Sequence, residues 1–190
     1  ANATRLSAAS RHGKKIGLLA GWGRYPLIIA KALKEQGYQV YGLGVKGHAD
    51  PALADYCQNF SWVGLARIGA AIRYFKKNGV HDAMMAGKYH KVLLYRPWVW
   101  FRHTPDWRAI RCFSQHFLFA KKDRKDATLL TAIVDEFAKD DVHFHPATDY
   151  VPELLVKTGT LTNSVPSAAE FCDIEFGWNI AKEMGRLDVG

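Results

Sequence analysis

The stretch Lys14–Pro26, KKIGLLAGWGRYP, decides the fold, because it joins an apolar run to a turn that contains two glycines. The continuous apolar run Ile16–Ala20 is typical of a strand that is buried on both faces. Gly21 and Gly23 let backbone N–H groups approach an anion at the start of a helix. Pro26 stands where a dinucleotide-binding turn has its third glycine, and proline is tolerated in a first helical turn. The stretch predicts a strand, a turn and a helix, and the turn either binds a phosphate or binds nothing.

The same alternation of strand and helix continues along the first half of the chain. Strand patterns at 38–44, 60–64 and 82–88 alternate with helical patterns that end at glycines. This order predicts a parallel sheet over residues 15–90, with helices on both faces. Ligands of such sheets bind at the carboxyl ends of the strands. Those ends carry glycines and basic residues, and no acid, at 21–23, 42–46, 64–67 and 87–91.

The second half of the chain has a different pattern. Residues 90–122 interrupt the alternation, and helical patterns follow at 125–140 and 168–184, with a short strand at 141–147. The predicted fold is an α/β fold with a Rossmann-like N-terminal domain and the beginning of a second α/β domain. The predicted regions are a disordered basic tail at 1–14, the Rossmann-like domain at 15–148, and the start of an incomplete C-terminal domain at 149–190.

The composition and charge limit the classes of binding partner and the cellular compartment that we expect. The formal net charge of +8 favours anionic partners such as phosphates, nucleotides or acidic lipid headgroups. Three cysteines without a CxxC pair indicate a reducing compartment. No apolar run approaches the ~20 residues of a membrane span, and the N-terminal residues lack the apolar stretch of a signal peptide. We therefore expect a cytoplasmic protein.

Two other motifs give only weak evidence for a binding site. A dinucleotide site needs an acid near the end of the second strand, where this chain has Lys46, so Pro26 and Lys46 disfavour a nicotinamide or flavin cofactor. His143 and His145 have the spacing of metal ligands on one face of a strand. No third ligand is visible near them, which favours ordinary surface or core histidines.

The segment Arg96–Arg111 interleaves aromatic and basic residues. This pattern is compatible with stacking of single-stranded nucleic acid, with a lipid interface, or with core aromatics beside solvated arginines. The residues alone leave these alternatives open. The aromatic members are Trp98, Trp100, Phe101 and Trp107, and the basic members are Arg96, Arg102, Arg108 and Arg111.

Five motifs in order resemble those of the LpxI-type UDP-2,3-diacylglucosamine diphosphatases of lipid A biosynthesis. The resemblance extends from about Lys15 to the last residue. The motifs are IGLLAGWGRYPLIIA (16–30), MMAGK (84–88), KDATLLTAIVDEF (125–137), VPELLVKTGTLT (151–162) and PSAAEFCDIEFGWNIAKEMGRLDVG (166–190).

The resemblance implies a metal-dependent hydrolysis of UDP-2,3-diacylglucosamine to UMP and 2,3-diacylglucosamine 1-phosphate, with Mg²⁺ or Mn²⁺ as the cofactor. It implies that Asp126, at the start of its helix and a candidate N-cap, is both a catalytic residue and a metal ligand. The expected partners are the nucleotide glycolipid substrate and the inner-membrane surface, without nucleic acid, and a homo-oligomer is left open. The implied substrate-binding residues are Gly21, Trp22, Gly23, Gly87, Lys88 and Thr162.

Three departures from the family pattern keep alternatives open. Trp22 replaces an asparagine between the two glycines, and Ala127 replaces one of two consecutive acids. The chain also stops at LDVG, where the family continues with a long C-terminal domain. We therefore expect either a fragment of a longer protein or a piece that does not turn over substrate alone. The alternatives to the diphosphatase are a non-catalytic nucleotide- or lipid-phosphate-binding relative and a Rossmann-type oxidoreductase.

Overall fold

A computed structural model describes residues 13–89, 104–119, 126–156 and 158–187, without the side chains of 113, 115–119 and 126–129. Its centre is a five-stranded sheet in the order β3-β2-β1-β4-β5, and every strand pair is parallel. The parallel α/β fold expected from the sequence is confirmed. The strands are β1 (Lys15–Ala20), β2 (Gln39–Val45), β3 (Asn59–Val63), β4 (Asp82–Ala86) and β5 (His143–Phe144).

The helices follow the predicted order, with additions in regions where no helix was expected. Helix α3 lies inside the segment 90–122 that interrupted the sequence pattern, and a 3-10 turn at Pro51–Tyr56 follows β2. The helices are α1 (Tyr25–Glu35), α2 (Ile68–Lys77), α3 (Trp107–Phe119), α4 (Asp126–Ala138), α5 (Ala147–Tyr150) and α6 (Ala168–Arg186), and a 3-10 turn at Pro152–Leu154 follows α5.

Strand β1 is buried on both faces, as its continuous apolar sequence predicts. Ile16 and Leu18 pack in the cluster under α1, which contributes Ile29 and Leu33. Successive strand residues point to opposite faces, so Gly17 meets the other cluster, where a Cβ would lie 2.8 Å from a ring carbon of Phe75. Phe75 and its neighbours on that face are fully buried. The sheet therefore separates two apolar layers.

Asp106 joins the N-termini of two helices that are far apart in sequence. Its Oδ1 accepts the N–H of Ala109 in the first turn of α3 (3.0 Å), and its Oδ2 accepts the N–H of Ala70 in the first turn of α2 (3.0 Å). A Cβ on Gly69 would lie only 3.0 Å from Oδ2. One carboxylate thus satisfies orphan donors of both helices and sits at the positive end of both dipoles.

A polar cluster lies at the start of β4. Asp82, the first residue of β4, pairs with Lys14 Nζ (2.7 Å) and with His145 Nε2 (3.0 Å). Burial opposes ionisation of Asp82, but the hydrogen bonds from Lys14 and His145 outweigh it and hold the pKa of its carboxyl below the ordinary value. This cluster ties the segment before β1 to β4 and the segment after β5.

The contacts divide the chain into two compact units, Ala1–Leu154 and Leu155–Gly190. The second unit contains α6, which begins with a reciprocal capping box between Ser167 and Glu170. Its described residues include none that is buried, and the side chains of Phe176 and Trp178 are exposed. Among the residues described in either unit, no helix is long and apolar enough to cross a bilayer.

The shared cap predicts a graded loss of stability. Asp106→Ala removes both acceptors, so we expect the free energy of unfolding to fall by about 2 kcal/mol, at ~1 kcal/mol per lost cap. Asp106→Asn keeps one amide oxygen and therefore one cap, and should lie between Ala and the parent. The measurement is urea unfolding followed by circular dichroism.

The control is Asp55→Ala, which removes an exposed acid whose side chain has no assigned partner in the described part of the chain. If Asp106→Ala is no less stable than this control, Asp106 does not join the two helices.

Candidate functional site

The site lies where the chain leaves two neighbouring strands in different directions. From β1 the chain passes through α1 to β2 on one side of it, and β4 lies on the other side, next to β5. Ligands of open parallel sheets bind at the carboxyl ends of the strands at such a switch point. Two short segments meet there: the glycine turn, Gly21–Arg24, and the β4 loop, Gly87–Tyr89.

Backbone hydrogen bonds clamp the glycine turn to the β4 loop. Trp22 donates its N–H to the carbonyl of Lys88 (2.8 Å), and Lys88 donates its N–H to the carbonyl of Trp22 (2.9 Å). We call this pair the Trp22–Lys88 bridge. Gly21 extends the bridge by donating its N–H to the carbonyl of Ala86 (2.8 Å). The two loops therefore form one rigid edge above β1 and β4.

Two glycines are required by this close approach. A Cβ on Gly21 would lie 2.7 Å from the carbonyl oxygen of Lys88. A Cβ on Gly87 would lie 2.8 Å from both the carbonyl carbon of Gly21 and the carbonyl oxygen of Trp22, and Gly87 has a φ of +93°. These neighbours are backbone atoms that cannot rotate away. Any side chain at Gly21 or Gly87 would push the loops apart.

The bridge decides which backbone donors face an anion. Because the N–H groups of Gly21 and Trp22 are engaged in it, they are not donors for a phosphate. The N–H groups of Gly23, Arg24 and Tyr25 donate to no acceptor among the described residues, and they lie at the N-terminus of α1. Pro26 has no N–H and occupies the first turn, as expected, and that turn carries no acid. The end of α1 is therefore a positive end aimed at the site.

A pocket of about 650 Å³ opens beside the bridge. Most of its surface is apolar, and among the described residues that line it the charged side chains are those of Arg24 and Lys88. The indole of Trp22 is 52% exposed and the ring of Tyr25 is 40% exposed, so both present aromatic surface to a ligand. The described residues that line the pocket are Trp22, Gly23, Arg24, Tyr25, Met85, Ala86, Gly87, Lys88, Tyr89 and Leu130.

The side chain of Tyr89 anchors the β4 loop to the end of β1. Its hydroxyl donates to the backbone carbonyl of Leu19 near the end of β1 (3.2 Å), and its ring contacts that of the buried His48, with 6.2 Å between the centroids. Burial raises the pKa of the Tyr89 hydroxyl far above its ordinary value, so the group stays a neutral donor. The side chain thus supports the bridge and offers no charge to the site.

Four of the predicted binding residues line the pocket, namely Trp22, Gly23, Gly87 and Lys88, and Gly21 lies beside them through its hydrogen bond to Ala86. Thr162 lies in the second unit, where its hydroxyl donates to the carbonyl of Ser164 (3.1 Å).

Asp126 is the first residue of α4, inside the helix rather than before it, and its side chain lies outside the described part. Leu130 lines the pocket from the same helix. Residues four apart share a helical face, so the backbone of Asp126 is one turn from the pocket wall.

The described residues fit an anion better than a protein-held metal. No group of three metal-ligating side chains occurs among them, and no carboxylate lines the described wall of the pocket. His143 Nε2 lies 3.2 Å from Asp141, whereas His145 faces Asp82, so these two histidines do not share a metal site. The side chains of Arg24 and Lys88, with the N–H groups of Gly23–Tyr25, are instead the kind of donors that a phosphate requires.

The predicted aromatic–basic segment is only partly described. Trp98, Trp100, Phe101, Arg96 and Arg102 lie outside the described residues. The side chain of Trp107 is 76% exposed on α3.

Two arginines of that segment serve a packing role in the described structure. Arg108 pairs with Asp140, and Arg108 and Arg111 each approach the buried carboxylate of Glu136 at 3.6 Å. These two arginines therefore hold α3 to α4.

Sequence reasoning did not single out Arg24, Tyr25, Tyr89 or Leu130 as site residues. Arg24 could have been found, because it follows the second glycine and precedes the first helical turn. Tyr25 directly follows Arg24, and Tyr89 lies within the strand end at 87–91, so both had a local signal as well. Leu130 reaches the site from α4 through tertiary packing, for which the local sequence has no signal.

Comparison with known proteins agrees with this architecture. A family model described as the LpxI N-terminal domain matches residues 15–154. The UDP-2,3-diacylglucosamine pyrophosphatase LpxI of Caulobacter vibrioides is 27% identical over 177 residues, which are 93% of this chain and 60% of that protein. The chain thus spans about three fifths of the length of this curated relative.

Solved structures give weaker matches. The enzyme WbmH of Bordetella bronchiseptica in complex with NAD⁺ is 13% identical, with a TM-score of 0.40, over 70% of this chain and 55% of that one. The D-lactate dehydrogenase of Lactobacillus jensenii with NAD⁺ is 14% identical, with a TM-score of 0.28, over 72% and 46% of the two chains.

The family model covers all of the described residues that build the sheet, the bridge and the pocket. This chain belongs to the family defined by the LpxI N-terminal domain.

Proposed function

We propose that this protein hydrolyses the diphosphate of UDP-2,3-diacylglucosamine, giving UMP and 2,3-diacylglucosamine 1-phosphate in lipid A biosynthesis. The observation that carries the proposal is the pocket at the Trp22–Lys88 bridge, which combines apolar walls with two cations and a helix N-terminus. A substrate with a diphosphate and acyl chains needs both kinds of surface. The relative from Caulobacter vibrioides, named as a pyrophosphatase of this substrate, supports the same reaction.

The cations and free N–H groups beside the bridge would stabilise the negative charge that develops on the phosphates. Attack of water on one phosphorus breaks the bridging P–O bond and leaves a second phosphate group, so negative charge develops on the oxygens of both products. Lys88, Arg24 and the N–H groups of Gly23–Tyr25 would stabilise that charge in fixed positions, which is the electrostatic form of catalysis. The rigid bridge matters because fixed donors need no reorganisation during the reaction.

We propose that the reaction uses Mg²⁺ or Mn²⁺ and that Asp126 is the protein ligand. Mg²⁺ typically keeps several waters and binds through one or two carboxylates together with substrate phosphates. Such an ion, when bound, polarises a phosphoryl oxygen. The described pocket residues supply no metal cage of their own, so the proposal places the ion with the diphosphate and with Asp126 at the start of α4.

The proposed substrate is a membrane lipid, so we propose that the protein acts in the cytoplasm at the inner-membrane surface. The net charge of +8 supports attraction to an anionic membrane, and the exposed indole of Trp107 supports contact with headgroups. A non-catalytic lipid-phosphate-binding relative is the second candidate, because the described pocket favours anion binding over metal binding. Turnover distinguishes the two.

Lys88 gives the first test. Lys88→Ala should lower kcat/KM for UDP-2,3-diacylglucosamine by about 10- to 100-fold, because a charge-assisted contact to phosphate is lost. The measurement is a mass-spectrometric turnover assay with Mg²⁺ on the full-length protein. Lys77→Ala, which removes an exposed lysine at the end of α2, is the matched control and should behave as the parent.

A parent that converts no substrate would contradict the diphosphatase and favour the binding relative. Equal turnover by the parent and by Lys88→Ala would show that Lys88 takes no part in the reaction and would contradict an active site at the bridge.

Asp126 gives the second test. Asp126→Asn removes the charge and keeps the size, so the melting temperature should change little, since a first-turn acid contributes ~0.3–1 kcal/mol through the helix dipole. Turnover in Mg²⁺ should fall by about 100-fold or more if the carboxylate holds the ion. Asp135→Asn, an exposed acid later in α4, is the control and should retain parent activity.

Parent-like turnover of the Asp126→Asn protein at every Mg²⁺ concentration would show that Asp126 only serves the helix. A large fall in the melting temperature would likewise contradict a role confined to the metal.

A further inference from the structure

We propose that the outer edge of strand β3 pairs with the same edge of a second copy of this chain, in an antiparallel arrangement centred on Ser61. The inference does not depend on the proposed function, because no residue of β3 is in the described lining of the pocket at the bridge. Three observations carry it: the composition of the edge strand, the direction of its backbone groups, and the order of its side chains.

The two edge strands of the sheet differ in how they are protected from pairing with another strand. Proteins protect a sheet edge by making its strand very short, or by placing charged residues or proline there. Strand β5 is two residues long, and Pro146 follows it closely. Strand β3, Asn59–Val63, is five residues long and contains neither a charged residue nor proline, and its Trp62 is 40% exposed. Strand β3 is therefore the edge to which another strand can add.

The hydrogen bonds of β3 show which of its backbone groups point away from the sheet. Lys46, just after β2, donates its N–H to the carbonyl of Val63 (2.9 Å), so Val63 faces β2. Backbone groups alternate in direction along a strand, so Ser61 also faces β2 whereas Phe60 and Trp62 point outward. Among the described residues, the backbone N–H and C=O groups of Phe60 and Trp62 have no hydrogen-bond partner on the outer side. Each chain thus offers two donors and two acceptors at this edge.

The register of β2 gives the same direction. Gln39, its first residue, donates its N–H to the segment before β1 (3.0 Å), so by alternation the even-numbered residues of β2 face β3. Ser61 lies opposite Leu43, and in a parallel pair it is then bonded to the residues on either side of Leu43. The alternation begins with β3 itself, because Gln58, the residue before it, still donates to the carbonyl of Val40 (2.8 Å).

An antiparallel pair centred on Ser61 satisfies these outward groups in both copies. A twofold axis at Ser61 places Phe60 of one copy opposite Trp62 of the other, as a pair that exchanges both of its N–H···O bonds. The same pair forms on the other side of the axis, so every outward donor meets an acceptor. The rings of Phe60 and Trp62 already contact each other edge to face within one chain, with 5.0 Å between the centroids. The pairing adds aromatic contacts between the two copies on the same face of the sheet.

A second copy of this chain fits the edge better than an unrelated strand does. Copies of a chain with a net charge of +8 repel each other, so a contact between them requires a surface without cations. Strand β3 supplies one, because all of its residues are uncharged. Its order is also self-complementary, since an aromatic residue lies on each side of Ser61 and a twofold axis reverses the direction of the strand.

The first test is disulfide crosslinking of this chain at the proposed axis. Ser61→Cys places the two introduced thiols in a pair that is not hydrogen-bonded, with Cα atoms about 4.5 Å apart, a distance that a disulfide can span. We expect a covalent dimer linked through position 61 after mild oxidation, identified by mass spectrometry of the linked peptides. Asn59→Cys is the matched control on the same face of β3. Its two thiols would lie roughly 14 Å apart along the strands and should not link.

The second test uses charge at the same position and is followed by sedimentation equilibrium. Ser61→Lys and Ser61→Glu each place like charges directly opposite one another, so either variant alone should raise the Kd of the dimer at least about tenfold. An equimolar mixture of the two variants places opposite charges at the axis and should restore association. Circular dichroism checks that each variant is folded like the parent.

Three results would overturn the inference. The first is a parent chain that stays monomeric at about 100 µM. The second is a dimer whose Kd is unchanged in both charged variants, which would place the interface elsewhere. The third is crosslinking of Asn59→Cys as efficient as that of Ser61→Cys, which would show random collision or a different register.

Discussion

The Trp22–Lys88 bridge is the contact on which the site depends. Two reciprocal backbone hydrogen bonds join the loops that follow β1 and β4, and no side chain fits between them at Gly21 or Gly87. The bridge uses the backbone donors of Trp22 and leaves those of Gly23–Tyr25 to face a ligand. A glycine turn whose sequence resembles a phosphate loop is therefore partly a structural joint, and the free backbone donors on which the proposed anion site depends belong to the first residues of α1.

The two ends of the sheet have different roles. At the amino end, ion pairs between Lys14, Asp82 and His145 join strands and carry no pocket function. At the carboxyl end, Arg24 and Lys88 have no acid beside them in the described lining, so their charge is available to a ligand. The paired charges of Lys14, Asp82 and His145 thus stabilise the fold. Arg24 and Lys88 lie instead at the carboxyl ends of the strands, where parallel sheets bind their ligands.

The sequence predicted the strands and most helices, because their apolar patterns and glycine stops are local signals. It did not predict α3, although that segment is amphipathic at helical spacing, because its aromatic and basic residues also fit a nucleic-acid or lipid interface. The local sequence could not show that the N–H of Trp22 donates to the carbonyl of Lys88 (2.8 Å) or that the N–H of Gly21 donates to Ala86, so a role of Gly21 in binding stays a prediction. The double cap by Asp106 and the pocket wall at Leu130 are likewise tertiary features. The roles of Asp126 and Thr162 stay predictions.

The most direct measurement of the central claim is amide hydrogen exchange of this chain, followed residue by residue with and without 2,3-diacylglucosamine 1-phosphate. The account predicts that the amides of Gly21, Trp22 and Lys88 are protected in the free protein and change little, whereas those of Gly23–Tyr25 gain protection only when the ligand is added. Rapid exchange at Trp22 and Lys88 in the free protein, followed by protection on ligand binding, would contradict it, because those amides would then be the anion donors.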